Sequence, residues 1–274
     1  MILIPLVLGS GLVAATLTPE FAPLSSSATT ALSTAAPVAQ VSAPARPEAD
    51  TDGWDGQFNV SASKTEGNTS FETYTVSVNA EQVVDIHRHN IDAVWLMSKD
   101  NQAASNRARR SVYGQYKYDQ FFAQKTYFWV NARAESDQPS DPALTKLDLR
   151  WTVGGGLGHQ FRDDAEWKIN AEAGLAYFKE KYDGGLEQDY LAARVAWDVL
   201  FHASETTSLG HTGELYPSLE TSDDMYGRAD TFVDVKLSER MNARAQWILT
   251  WDNTPAPGRE RSDNLYLLSI GWTF

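Results

Sequence analysis

The chain contains no cysteine, which excludes a disulfide framework and a thiolate metal site. It also has no stretch of about 18 apolar residues beyond its first residues, and so no spanning helix there. Its mean hydropathy is only -0.38. Positive charge is scarce: 23 Lys and Arg face 36 Asp and Glu, for a net charge of -13. A surface that binds nucleic acid needs the opposite balance, so nucleic acid is excluded as a partner. Aromatic residues, by contrast, are abundant, with nine Trp, eleven Tyr and eleven Phe among 274 residues. Low hydropathy with many aromatics is compatible with a transmembrane β-barrel, because half of each strand faces a polar lumen.

Two segments precede the aromatic-rich region. Residues 1–15, MILIPLVLGSGLVAA, form an apolar run ending in small residues, the pattern of a secretory leader, with Val13 and Ala15 suited to the −3 and −1 positions. A short membrane anchor is the competing reading, but the run falls below the roughly 20 residues that a span requires. Residues 16–50 are rich in Ala, Ser, Thr and Pro and cannot bury enough apolar surface to offset their ordering entropy. They are expected to form a disordered periplasmic tether, with the folded unit at 51–274.

Within that unit the dominant signal is period two. In the last strand Tyr266, Leu268, Ile270, Trp272 and Phe274 alternate with Ser269, Gly271 and Thr273, so one face is large and aromatic and the other small. Twelve such segments follow one another from Trp54. The ninth, near 208–219, is the weakest, and Pro217 places a bulge or a rim position there. The sixth carries a column of glycines, Gly154, Gly156 and Gly158, on its polar face, which leaves room for a neighbouring side chain or a bend.

Charge separates a barrel from a soluble sandwich. The apolar faces carry almost no charge, while Trp54, Trp151, Trp167, Trp247, Trp251 and Trp272 fall on them, many near the ends, as aromatic girdles do. The joints alternate between short (80–85, 121–125, 162–166, 203–207, 238–240) and mostly longer polar ones (64–70, 99–110, 136–146, 179–188, 220–227, 253–263), the asymmetry of periplasmic turns and external loops. The expected fold is therefore all-β: an antiparallel, up-and-down transmembrane β-barrel of about 12 strands in a bacterial outer membrane.

Four stretches carry a resemblance: SASKTEGNTS at 61–70, GGGLGHQF at 154–161, LYPSLE at 215–220 and DNTPAPGRERSDNLYLLSIGWTF at 252–274. In order and spacing across roughly 54–274 the chain resembles the salt-induced outer-membrane proteins, a family of unknown function. The resemblance implies an outer-membrane barrel and a link to osmotic stress, and implies no reaction. The alternating strand that ends on Phe274 likewise resembles the signal read by bacterial barrel-assembly machinery, which makes Tyr266, Leu268, Ile270, Trp272 and Phe274 the expected assembly signal. Outer-membrane lipid and lipopolysaccharide are the expected surroundings.

The polar faces are the candidate site. Lys117, Asp119, Arg133, Glu135, Asp148, Arg150, Lys168, Glu172, Arg194, Asp198, Asp234, Lys236 and Arg244 are expected to line the lumen, with Asp148/Arg150, Lys168/Glu172, Arg194/Asp198 and Asp234/Lys236 each on one wall. They would form either a narrow pore that orients small polar solutes or a cross-braced, closed interior. No catalytic residue, metal or cofactor is assigned. The His202-x-Ser204 pair admits a lipid-acting hydrolase as an alternative, provided an acid or amide orients the imidazole that takes the serine proton, although both residues read as facing inward at the periplasmic end, away from lipid. A closed structural barrel whose tether anchors a periplasmic partner is another. His87 and His89 read as rim residues rather than metal ligands. The run 106–110, with Arg107, Arg109 and Arg110, reads as a basic external loop able to meet lipopolysaccharide phosphates. Asp183, Glu187, Asp189, Asp223 and Asp224 read as loop acids without calcium-loop spacing.

Overall fold

A computed structural model describes residues 53–65, 71–100, 108–139, 144–256 and 260–274; the leader and tether lie outside the described residues. Twelve strands follow in chain order: β1 Asp55–Thr65, β2 Phe71–Val84, β3 His87–Asp100, β4 Ala108–Ala123, β5 Thr126–Gln138, β6 Leu147–Asp163, β7 Trp167–Tyr182, β8 Glu187–His202, β9 Thr207–Pro217, β10 Met225–Lys236, β11 Met241–Asp252 and β12 Ser262–Thr273. Each pairs antiparallel with its sequence neighbours, and β12 returns to β1 to close the barrel. Closure gives every strand two partners, the condition for placing a sheet in hydrocarbon, where an unpaired backbone group has no water to bond.

The ends of the chain meet at this seam. Gln57 to Ser61 pair with Thr273 to Ser269, and Gly56 and Phe274 exchange both backbone hydrogen bonds at 3.0 Å. This register is short: β1 pairs with β2 along its whole length, from Asp55 to Thr65.

Period two decides which way each side chain points. Val60, Val112, Phe128, Val130, Val153, Leu157, Leu175, Val195, Leu268 and Ile270 face outward and are exposed, while Asn59, Thr75, Asn131, Thr152 and Thr212, on the opposite face of their strands, are buried. Aromatics gather at both ends of the exterior. Trp167 stacks on Phe201 at 4.4 Å and Phe122 packs on Phe128 at 4.6 Å near the short turns. Trp151 packs on Tyr177 at 5.5 Å and Trp247 lies parallel to Tyr266 toward the other end.

The short turns are locally encoded. Between β6 and β7, the Asp164 carboxylate accepts the backbone N–H groups of Glu166 at 3.0 Å and Trp167 at 2.8 Å and the Arg162 guanidinium. That Arg162 contact, followed by the Trp167 N–H, holds the Asp164 pKa below the usual aspartate value. The long strands shorten one expected loop: β7 runs to Tyr182 and β8 begins at Glu187, so only 183–186 remain, with Gly184 and Gly185 supplying the positive φ of the turn. Pro217 is the last residue of β9, a strand-end position that tolerates the missing N–H.

The glycine column of β6 is filled by the side chains of its neighbour. A Cβ on Gly158 would collide with the Tyr127 ring, and one on Gly154 would lie 2.7 Å from Asn131 Oδ1. Gly174, on β7, completes the groove: its Cβ would lie 2.6 Å from the Trp129 ring. Gly174→Val should therefore overpack the interior by about 1–3 kcal/mol. The check is the urea midpoint of the folded barrel followed by tryptophan fluorescence, and an unchanged midpoint would contradict this packing.

Candidate functional site

The interior is organised by a chain of ten alternating charges. Arg88 binds Asp119 at 2.5 Å, Asp119 binds Lys117 at 2.9 Å, and Lys117 pairs with Glu172. Arg194 then bridges Glu172 at 2.7 Å and Glu214 at 2.8 Å. Arg133 links Glu214 at 3.5 Å to Glu135 at 3.2 Å, and Arg150 links Glu135 at 2.8 Å to Glu180 at 2.7 Å. Every strand from β3 to β9 contributes at least one member.

Each base of the chain also lies over an aromatic ring. Arg88 sits 5.0 Å from the Tyr127 centroid, Arg194 4.4 Å from Trp129, Arg133 4.9 Å from Tyr113 and Arg150 5.0 Å from Tyr226. Tyrosine hydroxyls complete the carboxylates: Tyr127 donates to Glu172, Tyr216 to Glu214 and Tyr182 to Glu180. Desolvation makes a buried pair costly unless the remaining lone pairs are also bonded, and the tyrosine hydroxyls supply such bonds at Glu172, Glu214 and Glu180.

Of the expected lumen residues, Lys117, Asp119, Arg133, Glu135, Arg150, Glu172 and Arg194 belong to this chain. Asp234 and Arg244 pair with each other across β10 and β11, and Asn242 donates to the same Asp234 carboxylate. Lys168 is half-buried near the start of β7, and Lys236 is exposed at the end of β10. Asp198 is buried but binds Asn170, not Arg194. Asp148 is a correction. The ladder shifts register between Leu147 and Leu149, so Leu147 turns into the interior and Asp148 is exposed, with Gln138 as its partner. Most partners lie on other strands rather than along one wall.

Four members of the chain or its surroundings escaped the sequence reading. Arg88 lies on the buried face of β3 with Asn90 and Asp92. Glu180 fell in the expected 179–188 loop, Glu214 in the weakest strand, and Trp129 on a face marked only by Asn131, Arg133 and Glu135.

Of the remaining candidates, Asp183, Asp223 and Asp224 lie in connections between strands, while others lie elsewhere than expected. His202 and Ser204 do not meet: His202 Nδ1 lies 2.9 Å from Ser208 Oγ, and Ser204 sits exposed in the β8–β9 turn, accepting the Thr207 N–H at 3.1 Å. The turn ends the strand between them, so the hydrolase pair is not assembled. His87 and His89 lie on the outer face, hydrogen-bonded with Tyr118 at 2.6 Å and Tyr116 at 2.7 Å. Arg109 and Arg110 belong to β4 rather than to a loop, and Arg109 turns inward onto Asp137 at 2.9 Å; Arg107 lies outside the described residues. Asp183 accepts the Lys146 N–H and Asp189 the Tyr177 hydroxyl. Among the described residues no three His, Cys, Asp or Glu side chains are grouped to hold a metal.

Val94, Leu96, Tyr113, Ile248 and Leu267 form one buried apolar cluster, with Leu265 against it, level with Glu135, which stands opposite Tyr113 in the ladder. It joins residues of β3 and β4 to residues of β11 and β12. The wall beside it, on β1, β2, β11 and β12, carries Asn59, Ser61, Thr75, Ser77, Gln246 and Ser269, all buried, small or neutral.

A closed, even-stranded antiparallel barrel with an apolar exterior, aromatic bands and a charged interior is a transmembrane β-barrel of the outer-membrane class. The chain belongs to the family described as a protein of unknown function, DUF481, whose profile matches residues 58–274. No curated protein sequence matches it. Among solved structures, it is similar to the translocator domain of the autotransporter NalP from Neisseria meningitidis, with a TM-score of 0.41, 13% identity and coverage of 81% of this chain and 87% of that one. The NanC porin gives 0.46, 9%, 81% and 100%, and the toluene transporter TodX from Pseudomonas putida 0.40, 9%, 81% and 89%.

Glu172 holds two bases, Lys117 and Arg194, in the buried chain. Glu172→Gln should leave both undercompensated and lower stability by about 3–5 kcal/mol. Urea unfolding checks this against Glu239→Gln in the exposed β10–β11 turn, which should shift the midpoint little.

Proposed function

We propose that this outer-membrane barrel is a narrow, gated passage for small polar solutes and ions. The apolar cluster of Val94, Leu96, Tyr113, Ile248 and Leu267 carries the reading. It packs next to a wall of hydroxyl and amide groups. An apolar constriction within a polar path gates by dewetting, since water and ions leave a narrow segment that offers them no hydrogen bonds. The ion-pair chain plays a different part. Its charges are mutually satisfied and mixed in sign, so it supports the wall and imposes little selectivity. A role in osmotic stress, implied by the family resemblance, suits a passage for ions. Outer-membrane lipid and lipopolysaccharide would surround the apolar exterior, and the strand ending in Tyr266, Leu268, Ile270, Trp272 and Phe274 would be presented to the barrel-assembly machinery.

Planar-bilayer recording from the refolded full chain tests the reading. The wild type should give small, discrete, salt-dependent steps. Ile248→Ser, which wets the cluster, should raise conductance or open probability several-fold. A wild type that inserts but stays silent, together with an equally silent Ile248→Ser, would leave a closed structural barrel as the better description.

A further inference from the structure

The interior holds a cavity of about 40 Å³, lined by residues of β3, β4, β5, β7, β8 and β9. That is room for roughly three water-sized spheres. Two carboxylates line it without a basic partner. Asp92, 2% exposed, accepts the Asn79 amide at 2.8 Å, and Asp198, 5% exposed, accepts the Asn170 amide at 3.4 Å. The other charged groups around the cavity are Lys117, Arg194, Glu172 and Glu214, and these are consumed by one another in the ion-pair chain.

Oxygen acceptors are in excess here. Asp198 Oδ2, Asn90 Oδ1 and Asn170 Oδ1 are buried and have no protein donor, and all three residues line the same cavity. Buried acceptors without donors are costly, and a buried carboxylate without a counter-charge more so. What complements such a site is small, positive and rich in donors or able to take several oxygen ligands.

From this we infer that the cavity between Asp92 and Asp198 binds a small monovalent cation, an alkali ion or an ammonium-type group. The volume excludes bulky organic cations. Carboxylate and amide oxygens are hard ligands suited to such ions. The site stands whether or not the lumen conducts, and it would give the proposed passage a cation-binding step.

The test compares thermal unfolding of the refolded full chain in potassium, ammonium and N-methylglucamine chloride at one ionic strength. A cation that occupies the native site stabilises it by mass action, so potassium or ammonium should raise the melting temperature by about 3–5 °C over N-methylglucamine. The better of the two identifies the ion type. The double variant Asp92→Asn, Asp198→Asn should melt at one temperature in all three salts. Equal melting of the wild type in all salts overturns the site, and so does a double variant that keeps the wild-type difference. If the double variant does not fold, the wild-type comparison still decides. Salt-specific melting of a barrel silent in bilayers would refute the passage and keep the site; conduction without salt-specific melting would do the reverse.

Discussion

The interior depends on one continuous ion-pair chain. From Arg88 to Glu180, acid and base alternate through ten side chains, and every strand from β3 to β9 supplies at least one. A closed sheet placed in hydrocarbon can turn apolar side chains outward at no cost, but its inward side chains have only a confined space and one another. Twelve strands enclose too little volume for this many charged groups to keep full hydration shells. The charges are therefore bonded to each other, and aromatic faces stand where solvent would be. Arg194 over Trp129 and Arg150 over Tyr226 illustrate this: the guanidinium edge meets carboxylates while its face meets a ring.

This arrangement explains other choices in the chain. Trp129 and Tyr127 point inward on β5 because the rings are needed beneath Arg194, Arg88 and Lys117. Rings of that size need empty neighbours, and β6 supplies them as Gly154 and Gly158, with Gly174 beyond. Glycine weakens a strand, and here its use is the space it leaves for a larger residue on the next strand.

The exterior was legible in the sequence because strand periodicity is local. Alternation over eight or ten residues is enough to assign a face, and the closing strand from Tyr266 to Trp272 keeps that assignment, its even residues exposed and its odd residues Leu267, Ser269 and Gly271 buried. The interior was legible only as a set of charges. Which charge meets which depends on strand stagger and on the chord across the lumen, so Lys117 finds Glu172, 55 residues away, while Arg194 passes over Asp198 on its own strand. A bulge is harder still: nothing in the alternation from Leu147 to Trp151 marks the extra residue that turns Asp148 outward. The His202–Ser204 pair fails for a related reason, since i and i+2 share a face only while the strand continues, and β8 ends at His202.

The bracing is not spread evenly round the ring. β3 to β9 are tied by charges as well as by ladders, whereas β1, β2 and β12 meet through small neutral side chains and a seam that, among the described residues, pairs from Gly56 to Ser61. In mechanical terms the barrel is a stiff arc joined to a compliant one. A squeeze from the surrounding bilayer would flatten the compliant arc first and leave the charged arc in shape. The cross-section beside Ser61, Thr75 and Ser269 would then follow lateral pressure in the membrane, while the electrostatics of the interior stay constant.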